Sequence, residues 1–205
     1  MNVARSTPVE RADSWALYVS SQATTAHPLR HELRDDGTQC YPAIDLVLFP
    51  DRVNQIPEVR ALPVLATLLS CANATWSLLR TTACDASQRP VEDPSCNGGY
   101  PYVAGAWIHL AYRLEWHNQT QENLLTLARM IQAQFHAPPL PYGVRCTVSP
   151  YRSWYGRRGY YGLGLEFVGK GSDTGSALIA GTATGEALAK ALAHVAESQT
   201  LLHMR

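Results

Sequence analysis

The chain has little lysine and no net charge. Lys170 and Lys190 are its two lysines, and basic and acidic side chains number 17 each in 205 residues. A neutral chain has no overall electrostatic attraction to nucleic acid or to an anionic membrane surface. Because nearly all of the positive charge is arginine, as in proteins from GC-rich genomes, we expect a bacterial or phage source.

Cysteine usage excludes the common zinc and disulfide patterns. There are five cysteines and no Cys-x-x-Cys pair. A structural zinc site therefore has no anchor, and an odd count without a signal peptide argues against a disulfide framework. Cys84 and Cys96 flank a polar segment, so an oxidising compartment would join them, whereas free thiols on a loop are the alternative.

Long hydrophobic runs are also missing. No stretch of about 18 consecutive apolar residues occurs, and the first fifteen residues have no apolar centre of the kind that a signal peptide needs. We therefore expect a cytoplasmic protein that has no membrane attachment. We also expect no cofactor.

The patterns that are present predict an α+β fold. Their order is β-β-α-β-α-β-β-α, which favours a mostly antiparallel sheet with about three helices packed on one face. A polar N-terminal arm at 1–13 precedes a single domain at 14–205, with a turn at Asp36-Gly37. The predicted segments are strands at 14–21, 43–50 and 102–117, helices at 62–82, 119–135 and 174–202, a loop at 83–101 and a hairpin at 143–169.

The last predicted helix carries a ridge of small residues. They recur every four positions, at Ala177, Gly181, Gly185, Ala189 and Ala193. Glycine costs about 1 kcal/mol in a helix relative to alanine, so two glycines so close together indicate that another backbone approaches closely. The alternative is that the helix begins only near residue 182.

Alternation along residues 102–117 predicts one polar strand face. It would hold His109, Arg113, Glu115 and His117. A histidine beside a carboxylate is a plausible general base, and His109, Glu115 and His117 would also suit zinc. A small hydrolase or metalloenzyme is thus one alternative, and a solvated sheet face without a site is the other.

Two motif-like strings near residue 170 do not fit their contexts. Residues 173–176, Asp-Thr-Gly-Ser, match the active-site string of aspartic proteases, but a loop precedes them and a helix follows, so we interpret Asp173 as a helix N-cap. Residues 164–171 approach a P-loop and instead read as a strand. A weaker anion site at Lys170 and Ser172, at the start of the last helix, remains.

The hairpin tip has the most distinctive composition in the chain. We predict that seven side chains there bind a partner: Tyr151, Arg152, Trp154, Tyr155, Arg157, Arg158 and Tyr160. Arginine, tyrosine and tryptophan are typical of protein-interface hot spots and equally of single-stranded nucleic-acid platforms. Gly162 and Gly164 would leave a flat strip beside the tip for a ligand or another backbone.

The neutral chain favours a protein partner over nucleic acid. The leading hypothesis is therefore a non-catalytic protein-binding factor: an inhibitor, an immunity or anti-defence protein, or an accessory subunit. RNA or single-stranded DNA binding through the same hairpin is the alternative. A third possibility is that the tip aromatics fold back onto the sheet and bind nothing.

Overall fold

A computed structural model describes residues 6–12, 14–27 and 44–203 of the chain, and the turn predicted at Asp36-Gly37 lies outside these residues. Short 3-10 helices occur at Pro50–Gln55, Pro94–Asn97 and Glu115–Gln119. The strands and longer helices are β1 (Ser6–Ala12), β2 (Trp15–Ser20), β3 (Thr24–His27), α1 (Pro57–Ala61), α2 (Val64–Asn73), β4 (Leu79–Pro90), β5 (Tyr102–Tyr112), α3 (Gln121–Gln134), β6 (Tyr142–Trp154), β7 (Tyr161–Gly171) and α4 (Thr174–His203).

The strands form a mixed, mostly antiparallel sheet, which confirms the predicted α+β class. Their order is β1-β2-β6-β7-β5-β4, and β3 pairs with the far end of β6. Strands β2 and β3 run parallel to β6, and the other pairs are antiparallel. Strand β1 lies within the segment predicted to be a polar arm and pairs with β2.

Helices α2, α3 and α4 cover one face of the sheet. Alternate residues of β5 and β7 point into this layer because side chains alternate between the two faces of a strand. Ile108 and Leu110 on β5 are fully buried there, as are Leu165 and Phe167 on β7. The predicted helical cover on one face is therefore confirmed.

Helix α4 lies unusually close to the sheet, and glycines make this approach possible. A Cβ atom on Gly181 would lie 2.4 Å from the carbonyl oxygen of Ala104 on β5. The face of β7 beneath the helix is equally tight, because a Cβ on Gly171 would lie 2.3 Å from the amide nitrogen of Ala177. The predicted ridge is thus confirmed as a close-packing surface, and the alternative start near residue 182 is wrong because α4 begins at Thr174.

The predicted strand at 43–50 is wrong over its described part. The Asp45 carboxylate accepts hydrogen bonds from the amides of Val47 and Leu48, at 3.0 and 3.4 Å. Phe49 N donates to Asp45 O at 2.9 Å, which closes a turn. The apolar run therefore folds as a turn that leads into a 3-10 helix, because an aspartate within it binds the following amides.

The helix predicted at 62–82 and the loop at 83–101 are also wrong in extent. Helix α2 ends at Asn73, whose side chain binds Thr81 N at 3.0 Å and Thr81 Oγ1 at 2.7 Å. After this contact the chain enters β4, which pairs with β5 over its whole length, from Leu79 to Pro90. Eleven residues of the predicted loop, 91–101, then remain between β4 and β5, and Pro94–Asn97 among them form a 3-10 helix.

Across the described residues, every helix is too short or too polar to cross a membrane.

Candidate binding surface at the hairpin tip

The hairpin of β6 and β7 closes through a two-residue turn. Trp154 and Arg157 exchange backbone hydrogen bonds of 2.7 and 2.9 Å across it. Tyr155 and Gly156 between them both have positive φ, 47° and 83°, which is the type I′ geometry that suits the twist of a hairpin. Tyrosine is uncommon at positive φ. Backbone strain of this kind concentrates at functional sites, such as those that bind a ligand.

Three of the predicted contact aromatics are buried, so their expected exposure is wrong. Trp154 is 0% exposed, and Tyr151 and Tyr160 are 3% and 5% exposed. Trp154 stacks on Tyr160 at a centroid distance of 5.9 Å and lies 4.9 Å from Tyr151. With Ala111 they form a second hydrophobic cluster. For these three side chains the alternative prediction, that the tip aromatics fold back onto the sheet, is confirmed.

The other four predicted contact residues remain exposed. Arg152, Tyr155, Arg157 and Arg158 all face solvent around the turn. Tyr155 is 49% exposed, and its hydroxyl accepts a weak hydrogen bond from Arg80 at 3.4 Å. The hairpin tip therefore divides into a buried aromatic base and an exposed rim of arginine and tyrosine.

A second exposed segment lies beside the turn. Strand β5 ends at Tyr112 because the side chain of Asn118 binds both Tyr112 N and Tyr112 O at 2.8 Å. The following residues form a 3-10 helix instead of continuing the predicted strand to 117. Leu114 and Trp116 consequently leave the packed face, and Trp116 is 58% exposed.

An ion pair joins the two segments. Glu115 on the 3-10 helix accepts a hydrogen bond from the Arg157 guanidinium, which also lies 5.2 Å from the ring of Tyr160. Gln119 Nε2 donates to the hydroxyl of Tyr160 at 3.2 Å. We call the exposed side chains of these two segments the tip surface: Leu114, Trp116, Arg152, Tyr155, Arg157 and Arg158.

The four residues predicted to share a polar strand face do not share one. Glu115 pairs with Arg157, and His117 stacks on Trp116 at 3.5 Å between ring centroids. The Arg113 guanidinium instead binds backbone carbonyls at the end of α2, including Asn73 O at 2.8 Å and Ala74 O at 2.7 Å. The premise of the acid–base and zinc hypotheses, a common strand face, is therefore wrong.

His109 lies in a buried hydrogen-bonded cluster on the sheet face opposite the helices. Its Nδ1 lies 3.2 Å from Thr82 Oγ1, which lies 2.8 Å from the Tyr151 hydroxyl. Burial raises the pKa of the Tyr151 phenol, and the hydrogen bond between Tyr151 and Thr82 opposes this rise only in part. Tyr151 therefore stays neutral at physiological pH and acts as a hydrogen-bonding group within the fold.

The predicted glycine strip is filled by this same cluster. A Cβ atom on Gly162 would lie 2.6 Å from Cε1 of His109 and 2.7 Å from the Tyr151 hydroxyl. Gly164 is also next to the His109 ring, with 3.6 Å between its Cβ position and Cδ2. The expectation of an open strip is wrong, because the glycines accommodate side chains of the protein itself.

The described residues form no cluster of metal ligands, and a carboxylate caps the start of α4. Within 6–12, 14–27 and 44–203, no three His, Cys, Asp or Glu side chains converge as metal ligands would. The start of α4, near Lys170 and Ser172, is capped by the Asp173 carboxylate, which accepts from Ser176 N at 2.8 Å. The predicted N-cap is therefore confirmed. The anion site stays a prediction, and the negative charge of Asp173 at the helix start disfavours it.

The two cysteines that an oxidising compartment would join are free thiols. Cys84 lies in β4, where burial raises the pKa of its thiol to about 12. Cys96 is exposed in the 3-10 helix at Pro94–Asn97. Both thiols are free, as the alternative predicted, but Cys84 lies in a strand and not on the predicted loop.

Comparisons of the chain with protein-family models, curated proteins and solved structures found no match.

Sequence reasoning missed Leu114 and Trp116 as surface residues. The alternation from residue 102 places both on the packed face if the strand continues. The contrary signal is the polar run Glu-Trp-His-Asn-Gln-Thr at 115–120, whose Asn118 turns back on the strand. Composition alone does not distinguish that turn from two more residues of strand.

Proposed function

We propose that this chain is a non-catalytic protein-binding factor whose tip surface contacts the partner. The observation that carries the proposal is a rim of exposed arginine, tryptophan, tyrosine and leucine on a buried aromatic base. An inhibitor, an immunity or anti-defence protein, or an accessory subunit of bacterial or phage origin would use such a surface. A cytoplasmic location belongs to the same proposal.

The exposed apolar groups supply a driving force for association. Trp116 is 58% exposed, Tyr155 is 49% exposed and Leu114 is 39% exposed. Burial of apolar surface contributes roughly 25 cal/mol per Å², and tryptophan, tyrosine and arginine are enriched among residues that dominate interfaces. The tip surface therefore has the chemical composition of a binding hot spot.

The buried base limits the entropic cost of binding. The turn is fixed by the two Trp154–Arg157 backbone hydrogen bonds, and Trp154 below it is fully buried. The Glu115–Arg157 ion pair holds the neighbouring 3-10 helix against the turn. Surfaces that are ordered before binding lose less conformational freedom in the complex, so this arrangement favours specific recognition.

A matched pair of double variants tests the proposal. Trp116→Ala with Arg158→Ala removes one large apolar side chain and one arginine from the tip surface. Ile179→Ala with Arg60→Ala removes the same two types from α4 and α1, where both are exposed. We expect the tip variant to bind its captured partner at least about tenfold more weakly, and the control variant to bind like the wild type.

Affinity capture with quantitative mass spectrometry identifies the partner, and titration with that purified protein gives the dissociation constants. Equal binding by both double variants would contradict a role for the tip surface. All four substituted side chains are exposed, so we expect each variant to retain its fold. Circular dichroism of each variant checks this.

The alternative is binding of single-stranded nucleic acid through the same residues. It is favoured by three exposed arginines, Arg152, Arg157 and Arg158, beside the exposed ring of Tyr155. Titration with a mixed-sequence single strand at several salt concentrations separates the two functions. Affinity that falls steeply with salt and is lost in the tip variant would support nucleic acid, whereas absent or salt-independent binding would exclude it.

A further inference from the structure

The outer edge of β4 is an exposed strand edge. Strand β4 is terminal in the sheet order, and no strand of the described segments pairs with its outer side. The stretch from Asp85 to Pro90 is exposed apart from the half-buried Ala86. Such an edge presents backbone donors and acceptors that another strand can pair with.

The hydrogen-bonding phase of β4 identifies which backbone groups face outward. Val91 N, just beyond the strand, donates to Pro101 O at 2.8 Å and therefore faces β5. In an antiparallel ladder this orientation alternates, so the backbone groups of Arg89, Ser87 and Asp85 also face β5. Those of Gln88 and Ala86 face outward.

Two observations agree with this phase. The Ala86 amide donates to the side chain of its neighbour, Asp85 Oδ1, at 2.8 Å, as expected for an amide that β5 does not use. Pro90, which has no N–H group, occupies an outward position, where proline is tolerated in a strand. The outward groups nearest the middle of the exposed stretch are therefore those of Ala86 and Gln88.

The sequence of this edge is complementary to a reversed copy of itself. Residues 85–89 read Asp-Ala-Ser-Gln-Arg, with opposite charges at the two ends. In an antiparallel pairing centred on Ser87, Asp85 of each copy lies opposite Arg89 of the other. The same register places Ala86 opposite Gln88, so the outward donors and acceptors of the two copies meet.

We infer that the β4 edge pairs with the β4 edge of a second copy of this chain, forming a two-fold symmetric dimer with a continuous sheet. The interface is isologous, as in most homodimers, because each contact occurs twice. Charges on an edge commonly prevent pairing. Here the reversed copy matches each charge with its opposite, whereas a parallel copy in register would place like charges together, so the charges select the antiparallel dimer.

Charge reversal tests the inference on the full chain. Asp85→Arg places arginine opposite arginine, and Arg89→Asp places aspartate opposite aspartate. We expect each single variant to raise the dimer dissociation constant about tenfold or more, because both symmetric pairs become repulsive. The double variant restores opposite charges in reversed order, and we expect its dissociation constant to return to within about threefold of the wild-type value.

Sedimentation equilibrium over a wide concentration range measures these constants. Gln88→Pro provides a second test, because it removes an outward amide that β5 does not use, with Gln88→Ala as its control. We expect the proline variant to be monomeric and the alanine variant to dimerise. A monomeric wild type, a dimer that persists in both single charge variants, or a double variant that stays monomeric would each overturn the inference.

Discussion

Replacing Trp154 by alanine is expected to lower the free energy of unfolding by about 3–5 kcal/mol, as other deletions of large buried aromatics do. The side chain is fully buried in a cluster with Tyr151, Tyr160 and Ala111. Its removal would leave a cavity that the neighbouring rings cannot fill without leaving their own contacts. Chemical denaturation with urea, followed by fluorescence and circular dichroism, measures the loss.

Arg158→Ala is the control at the same turn. Arg158 is exposed, and substitutions of that kind usually change stability by less than about 0.5 kcal/mol. A Trp154 variant as stable as this control would contradict the buried aromatic base, and with it the rigidity that we ascribe to the tip surface.

Gly181→Ala is expected to lower the free energy of unfolding by about 2 kcal/mol or more. Alanine is the better helix former by about 1 kcal/mol, but its Cβ would lie 2.4 Å from the carbonyl oxygen of Ala104. Both atoms belong to elements whose backbones are fixed, so α4 would have to move away from β5. Overpacking that forces the backbone to shift typically costs about 1–3 kcal/mol and occasionally more.

Gly175→Ala on the same helix is the matched control. Its Cβ would lie 3.3 Å from Asp173 Oδ1, so the exposed carboxylate has to shift by only a few tenths of an ångström and keeps its hydrogen bond from Ser176 N. We expect the free energy of unfolding to stay unchanged or to rise by up to about 1 kcal/mol. If both alanine variants were equally stable, the close approach of α4 to the sheet would be wrong.

The fold class was predictable because its strongest signals are local. The hairpin of β6 and β7 and the long helix α4 follow clear periodicities of two and 3.6 residues. The ridge of Gly181 and Gly185 predicted a close approach that the contact with Ala104 confirms. These features depend on side chains that all point toward one core, so the sequence pattern reports them directly.

Strand β4 was not predictable by the same means. Its second half, from Asp85 to Pro90, is polar and ends in proline, which reads as a loop. It is a strand because β5 supplies a complete partner over its whole length. An edge strand with one side exposed to solvent does not need an apolar pattern, and only the tertiary pairing reveals it.

The candidate site was predictable in place but not in detail. The structure places the predicted aromatic and arginine side chains together at the hairpin tip, and their binding of a partner stays a prediction. Which of them are buried depends on how the turn folds over Ala111 of β5, a residue far from Trp154 along the chain. Trp116 is exposed because the side chain of Asn118 binds the backbone of Tyr112 and ends β5 there. No local sequence pattern predicts this contact.

Site-specific photo-cross-linking tests the central claim, that the tip surface contacts a protein partner, most directly. A benzophenone-bearing amino acid would replace Trp116 in one variant and Ile179, which is 64% exposed on α4, in another. Illumination in a lysate of the source cells is expected to yield a discrete protein adduct from position 116 and none of the same mass from position 179. Adducts of the same mass from both positions, or a nucleic-acid adduct alone from position 116, would contradict the claim.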